Sequence, residues 1–210
     1  MRSAVRALHL IRRSFEWAVA LAARALEAVR RLPPRVALFY VAALALAAVR
    51  RDRFTLASAT RPDDLETLLA LADGSRRVVE VGTGPGWSAL ALALADAQRR
   101  VVSYDIEQRP AAIYARLAGR GVRERVSFVL AAGADGPAQA EAVDFLFIDS
   151  SHELEETVQT FEAWRPKLVP GALVVFHDYG DPQYPGVERA VTQLGLHGEA
   201  SGGVFIWRAG

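Results

Sequence analysis

The chain has 210 residues, 51% of them hydrophobic, and carries 25 basic against 24 acidic side chains. That length supports a sizeable core in one domain with an extension, and the near balance of charge argues against a nucleic-acid partner. The absence of cysteine excludes disulfides, thiolate metal sites and a cysteine nucleophile, and leaves an intracellular location as the default.

Residues 1–53 differ from the rest. Ala, Leu, Val and Arg dominate, with Glu16, Glu27 and Asp52 as the acids. Val5, Leu8, Phe15, Val19, Ala22, Leu26 and Val29 recur at three- and four-residue steps, the spacing of an amphipathic helix, which Pro33-Pro34 ends. The uncharged apolar run 36–49 is shorter than the about 20 residues a helix needs to cross a bilayer. It also starts too late for a cleaved signal peptide. A helical hairpin over 1–53 is expected, packing on the main domain (54–210) or on a second subunit of a homodimer. A membrane-surface anchor is the main alternative, and a disordered leader the third. Lys167 is the sole lysine; the arginine bias reads as base composition rather than chemistry.

Phe54 to Ala59 reads as a link into a helix near Thr60, where Thr60 and Asp63 resemble a capping box and Leu65, Leu68, Leu69 and Leu71 form the buried stripe. Asp73-Gly74-Ser75 breaks that helix before a first strand over 77–81. The strand enters Gly82-Thr83-Gly84-Pro85-Gly86 and leaves through an Ala/Leu-rich helix from Ser88 to Ala97. Strand, tight turn and helix N-terminus form the place where an α/β fold holds a nucleotide-like ligand. The glycines allow a sharp turn and a close ligand approach. The dinucleotide fingerprint is not met, because Trp87 stands where its third glycine belongs. Glu80 disfavours a pyrophosphate and favours a ligand that carries positive charge.

A second strand over 101–105 ends in Asp105, one strand–helix–strand unit after Glu80, where an acid can accept both hydroxyls of a ribose. A helix over 110–119 and a third strand over 125–130 lead to Ala131-Ala132-Gly133-Ala134-Asp135, small enough for a flat adenine to lie against backbone. The fourth strand, 143–149, ends in Asp149. Ser150 and Glu153 form a capping box for a helix to about Arg165, with Val158 and Phe161 facing inward. Pro170-Gly171 turns into a fifth strand, 172–178, which ends in His177-Asp178. A helix over 186–194 and a hairpin through Gly202-Gly203 complete the chain. Strands alternating with helices predict a doubly wound parallel sheet, with ligands at the carboxyl ends of the strands. Glu80, Asp105, Asp149, His152, His177 and Asp178 converge there, which favours an enzyme over a scaffold; His9 and His197 have no such company.

The segment 80–88 resembles the first motif of class I S-adenosylmethionine (SAM) methyltransferases. From Ser58 to Asp178 the chain is similar to the small-molecule O-methyltransferases of the catechol and caffeoyl-CoA type and their relatives acting on sugars. The resemblance implies a Rossmann-like, mostly parallel seven-stranded α/β sheet. It implies a SAM loop formed by Glu80, Gly82, Thr83, Gly84 and Gly86, with Ser88 on the methionine carboxylate. Asp105 falls on the ribose, Ile106 on the adenine, and Ala132 and Gly133 on the adenine-lining turn. Ser58 lies on the segment that closes over the methionyl end, and Asp149 orients SAM if no metal binds.

A divalent metal, Mg²⁺ or Mn²⁺, is also implied at Asp149, His177 and Asp178, where the family has Asp, Asp and Asn. The imidazole makes Mg²⁺ less exclusively favoured than Mn²⁺, Fe²⁺ or Zn²⁺. His152 replaces the family's catalytic lysine and is expected to act as general base. The implied reaction is methyl transfer to a hydroxyl of a small molecule. A cytoplasmic location is the default expectation, peripheral to the membrane if residues 1–53 touch it. A metal-free enzyme acting on nitrogen or on a membrane-presented acceptor, and a non-catalytic SAM-binding partner, are the alternatives. Tyr179, Tyr184 and Trp207 either line an aromatic acceptor pocket or pack the core.

Overall fold

A computed structural model describes residues 2–139 and 142–210. Helices α1 (Arg2–Arg31) and α2 (Pro34–Arg50) form the expected hairpin, with Pro34 at the first helical position, where a missing N–H is harmless. Val5, Leu8, His9 and Phe15 lie outside the residues whose side chains are described. The rest of the expected stripe is turned outward: Val19, Ala22, Leu26 and Val29 are exposed. The inward face consists of Leu21, Arg24, Ala25, Ala28 and Leu32. Small alanines let α1 approach its neighbours closely, so bulk was a poor guide to which face is buried.

Residues 53–58 form a short helix, α3 (Arg53–Ser58), rather than a link. Asp52 caps it, accepting from the Thr55 amide at 3.0 Å, from the Thr55 hydroxyl at 2.8 Å and from the Tyr114 hydroxyl at 2.9 Å. Helix α4 (Pro62–Leu71) follows, and Arg61, not Thr60, is its N-cap because Pro62 takes the first helical position. Leu65, Leu68 and Leu69 are buried as expected, and Leu71 only partly.

The remaining elements alternate: β1 (Arg77–Val81), α5 (Trp87–Ala95), β2 (Arg100–Asp105), α6 (Ala111–Ala118), α7 (Arg120–Arg123), β3 (Val126–Leu130), β4 (Val143–Ile148), α8 (Leu154–Trp164), β5 (Leu168–His177), α9 (Pro185–Gln193), β6 (Glu199–Ser201) and β7 (Val204–Arg208). They build a seven-stranded sheet in the order β3-β2-β1-β4-β5-β7-β6. The first five strands are parallel, and the terminal hairpin adds β7 and β6 antiparallel at one edge. The strand order reverses between β1 and β4, so a crevice opens at their carboxyl ends.

Strand alternation divides the core. Val78, Val101, Phe145, Phe147 and Val175 meet α2, α4, α5 and α6 on one face; Val79, Val81, Leu146, Ile148, Val174 and Phe176 meet α8 and α9 on the other. Glu80, in step with Val78, therefore points toward α5. Helix α8 begins after Glu153, and Ser150 does not cap it. Its buried side chains are Thr157, Thr160, Phe161 and Trp164, while Val158 is only partly covered. Tyr179 packs on Phe205 with ring centroids 5.0 Å apart, and Trp207 on Phe161 at 5.4 Å, so both serve the core.

Trp87 joins the N-terminal helices to the sheet. It is 1% exposed, and its ring lies edge-on to Tyr40 at 5.0 Å, Phe39 at 6.4 Å and Tyr114 at 5.5 Å. Among the described residues its buried indole N–H has no partner. Replacing Trp87 with Ala is expected to destabilise the fold by about 3–5 kcal/mol. Trp87→Phe is expected to cost under about 1.5 kcal/mol, because losing the unpaired N–H offsets part of the lost volume. Urea titration of both variants checks the contrast.

Candidate active site

The crevice is a cleft of about 850 Å³. The loop 82–86 forms its floor and depends on missing side chains. Gly82 has φ +107°, and a Cβ there would lie 1.8 Å from the carbonyl oxygen of Asp149. Gly86, at φ +77°, would strike the Ala111 side chain at 2.7 Å. Gly84 differs: at φ +49° its missing Cβ would meet nothing within 4 Å, and it borders the open cleft where a ligand can approach the backbone.

Glu80 supports this loop from behind. It is 0% exposed and lies outside the cleft lining. The hydroxyls of Ser88 and Ser103 donate to its two oxygens, and Ser103 also lies 2.7 Å from the Thr83 hydroxyl. The Ser88 hydroxyl, expected on a ligand carboxylate, is thus engaged by Glu80. Burial pushes the Glu80 carboxyl up to about 8, aided by the charges of Asp149 and Asp105 and opposed by the two serine hydroxyls.

Asp105 ends β2 in the cleft. It accepts from the amides of Gly84 at 3.1 Å and Glu107 at 2.9 Å, and from Arg109 at 3.3 Å. Arg109 also lies over the Phe54 ring, 4.7 Å from its centroid. Sequence reasoning passed over this arginine, although its four-residue spacing from Asp105 was a usable signal. Ser58, Ala132 and Gly133 line the cleft, as does the 70% exposed Ile106; the Ser58 hydroxyl donates to the Phe54 carbonyl at 2.8 Å.

Beyond the loop lies a quartet: Asp149, His152, His177 and Asp178 each offer an atom within 4.8 Å of the others. His152 Nε2 stands 3.3 Å from Asp149 Oδ1 and 2.9 Å from Asp178 Oδ2. His177 Nδ1 is 3.2 Å from those same two oxygens. That nitrogen is buried and makes a well-directed hydrogen bond to neither. His152 and Asp178 are non-glycine residues at φ 61° and 56°. Such backbone costs on the order of 1–3 kcal/mol each and gathers at functional sites. Asp64, at the start of α4, comes within 4.0 Å of His177 Nε2; only the docking of α4 brings it there, and nothing in its sequence context announced it. Tyr184 stacks on His152 with centroids 4.4 Å apart and lines the cleft.

Burial opposes charge on both imidazoles, yet Asp149 and Asp178 overcome it and raise His177 to about 11 and His152 to about 9. Burial likewise opposes charge on Asp149, but His177 and His152 bring it down to about 2; they lower Asp178 as well. A misdirected buried imidazole nitrogen between two carboxylates, with a second imidazole beside them, fits a divalent transition metal in donor type and number.

Glu80 couples folding to pH. Its folded value lies above its ordinary 4.5, so between about 4.5 and 8 the folded chain holds a proton that the unfolded chain releases. Stability from this group is present at the acidic end of that window and is lost as pH rises, at up to about 1.4 kcal/mol per pH unit. Glu80→Gln is expected to flatten that decline, read as the wild-type-minus-variant difference in urea unfolding at pH 5, 6, 7 and 8.

Residues 79–179 match a family model described as a methyltransferase domain. The chain is similar in structure to an O-methyltransferase from Bacillus cereus solved in complex with SAH, at 20% identity over 79% of this chain and 88% of that one, with a TM-score of 0.64. It is similar to TomG from Streptomyces achromogenes, an O-methyltransferase involved in tomaymycin synthesis solved in complex with SAM, at 22% identity over 72% and 82%, TM-score 0.59. A TDP-rhamnose 3'-O-methyltransferase of calicheamicin biosynthesis aligns at 20% identity over 70% and 79%, TM-score 0.57. No curated protein matches the sequence. The solved structures establish a shared fold, and the family match establishes the class of chemistry. Residues 79–179 thus match a methyltransferase domain, carried on a Rossmann-like fold shared with solved O-methyltransferases.

Proposed function

We propose that this protein is an O-methyltransferase that moves the methyl group of SAM onto a hydroxyl of a small molecule. The observation that carries this reading is one cleft holding the open face of Gly84, the Asp105 carboxylate and the Asp149–His152–His177–Asp178 quartet. SAM supplies a methyl carbon on a sulfonium, and the acceptor oxygen displaces the sulfur in line, forming C–O as S–C breaks and leaving S-adenosylhomocysteine. Most of the protein's work is positioning. Asp105 binds the ribose hydroxyls beside the amide of Gly84, Ala132 and Gly133 leave room for adenine, and Ser58 borders the methionyl end.

Asp149, His177 and Asp178 are proposed to hold a divalent metal, Mn²⁺ or Mg²⁺. Bound there, such a cation would lower the pKa of the acceptor hydroxyl and help to orient it. His152, whose Nε2 faces both carboxylates, is placed to accept the acceptor's proton, and a cation on those carboxylates would weaken the pairing that keeps it protonated. A metal-free cleft is the second reading, favoured by the 2.9 Å pairing of His152 with Asp178. There the quartet pairs internally and shapes the acceptor pocket.

The domain division at residue 53, a homodimer contact through the exposed face of α1, and a cytoplasmic location with peripheral membrane contact are further parts of the proposal. Among the described residues no helix is long and apolar enough to cross a membrane. Light scattering and liposome co-sedimentation of the full chain address the last two contacts.

Calorimetry is expected to show S-adenosylhomocysteine binding, weakened at least about tenfold by Asp105→Ala, since the ribose would leave buried polar groups unpaired. Unchanged affinity in that variant would remove Asp105 from the cofactor site. Mn²⁺ titration is expected to give one binding event that Asp178→Ala abolishes. Turnover that survives exhaustive chelation would decide for the metal-free reading.

A further inference from the structure

The N-terminal helices grip one wall of the cleft through two side chains outside the catalytic machinery. Residues 57–61 line the same cleft as the loop 82–86. Their backbone leaves the helix: Ala59 and Arg61 have ψ of 130° and 157°, so carbonyls here lack the partners a continuing helix would supply. Arg24 of α1 supplies them. Its guanidinium donates to the carbonyls of Leu56 at 3.1 Å, of Ala59, and of Thr60 at 3.3 Å. Its Nε donates to the Tyr40 hydroxyl, which in turn donates to the Thr60 carbonyl at 3.0 Å.

Tyr40 of α2 continues the connection to the other side. Its 0% exposed ring lies edge-on to Trp87 at 5.0 Å, and Trp87 directly follows Gly86. One tyrosine thus touches the 57–61 segment with its hydroxyl and the exit of the glycine loop with its ring. Arg24 locks the hydroxyl end with a planar fork of donors that a lysine cannot reproduce.

We propose that Arg24 and Tyr40 are positioning residues that set the separation between the 57–61 wall and the glycine loop, and through it the affinity for the cofactor. The second half of this claim rests on the SAM reading above. A wall held in place before binding spares the ligand the cost of ordering it.

The test uses the full-length chain as wild type, Arg24→Met, Arg24→Lys and Tyr40→Phe. It reads amide hydrogen exchange together with S-adenosylhomocysteine affinity by calorimetry. In Arg24→Met, amides over 57–60 are expected to exchange about tenfold faster, with β1 and β4 unchanged. The dissociation constant is expected to rise about fivefold to tenfold, with Arg24→Lys recovering part of it. Tyr40→Phe keeps the ring packing, folds if Arg24→Met does not, and is expected to move both readouts in the same direction. Unchanged exchange over 57–60 overturns the grip. Faster exchange with unchanged affinity overturns the positioning role and leaves a structural one. A wild-type chain that exchanges as described but binds no S-adenosylhomocysteine overturns the cofactor reading, while the grip itself stands on the exchange result.

Discussion

Everything in the cleft depends on Gly82 having no side chain. The end of β1 and the end of β4 are so close that a Cβ at 82 would sit 1.8 Å from the Asp149 carbonyl oxygen. The Asp149 amide closes the same junction by donating to Val81 at 2.8 Å, and the Gly82 amide donates to Tyr104 at 2.8 Å. This contact brings the glycine loop beside the quartet after β4 and β5, in one cleft. A larger residue would part the strands where the sheet reverses order, and the two halves of the site with them.

The junction is stiffened by buried polar groups packed beneath the glycine loop. Glu80, Ser88, Ser103 and Thr83 form a buried hydrogen-bonded network under the loop. Buried networks of this kind are costly when incomplete and rigid when satisfied. The quartet in front is the opposite case: among the described residues its buried His177 Nδ1 has no well-directed partner, and two of its members sit on strained backbone. Stability behind and unsatisfied chemistry in front is the arrangement expected of a site that binds something.

Arginine does structural work throughout. Arg24 satisfies carbonyls beside the cleft, and the 2% exposed Arg99 satisfies those of Ala72, Ser75 and Leu92 at the far end of the sheet. Arg125 does the same for Asp96 and Arg99 at 2.9 and 2.8 Å. Five donors on one plane let a single side chain close several open helix ends at once. Read along the sequence, these residues looked like compositional bias, because nothing local distinguishes a buried arginine from a solvated one.

The sequence by itself determined the five parallel strands, their alternation with helices and the glycine turn, because each is written in local chemistry: β-branched runs, glycine at positive φ, acids at strand ends. It also placed Asp105, Asp149, His177 and Asp178 at the carboxyl edge, which follows from the parallel topology alone. Other features were decided by the tertiary structure. The capping boxes expected at Thr60 and Ser150 gave way to Pro62 at a helix start and to a loop occupied by the site. The inward face of α1 went to Arg24, Ala25 and Ala28 instead of the bulkier stripe. Asp64 and Arg24 gained their places only when α4 and α1 docked. A side chain's partners across the fold lie far from it in sequence, so no spacing rule carries them; packing alone brings them together.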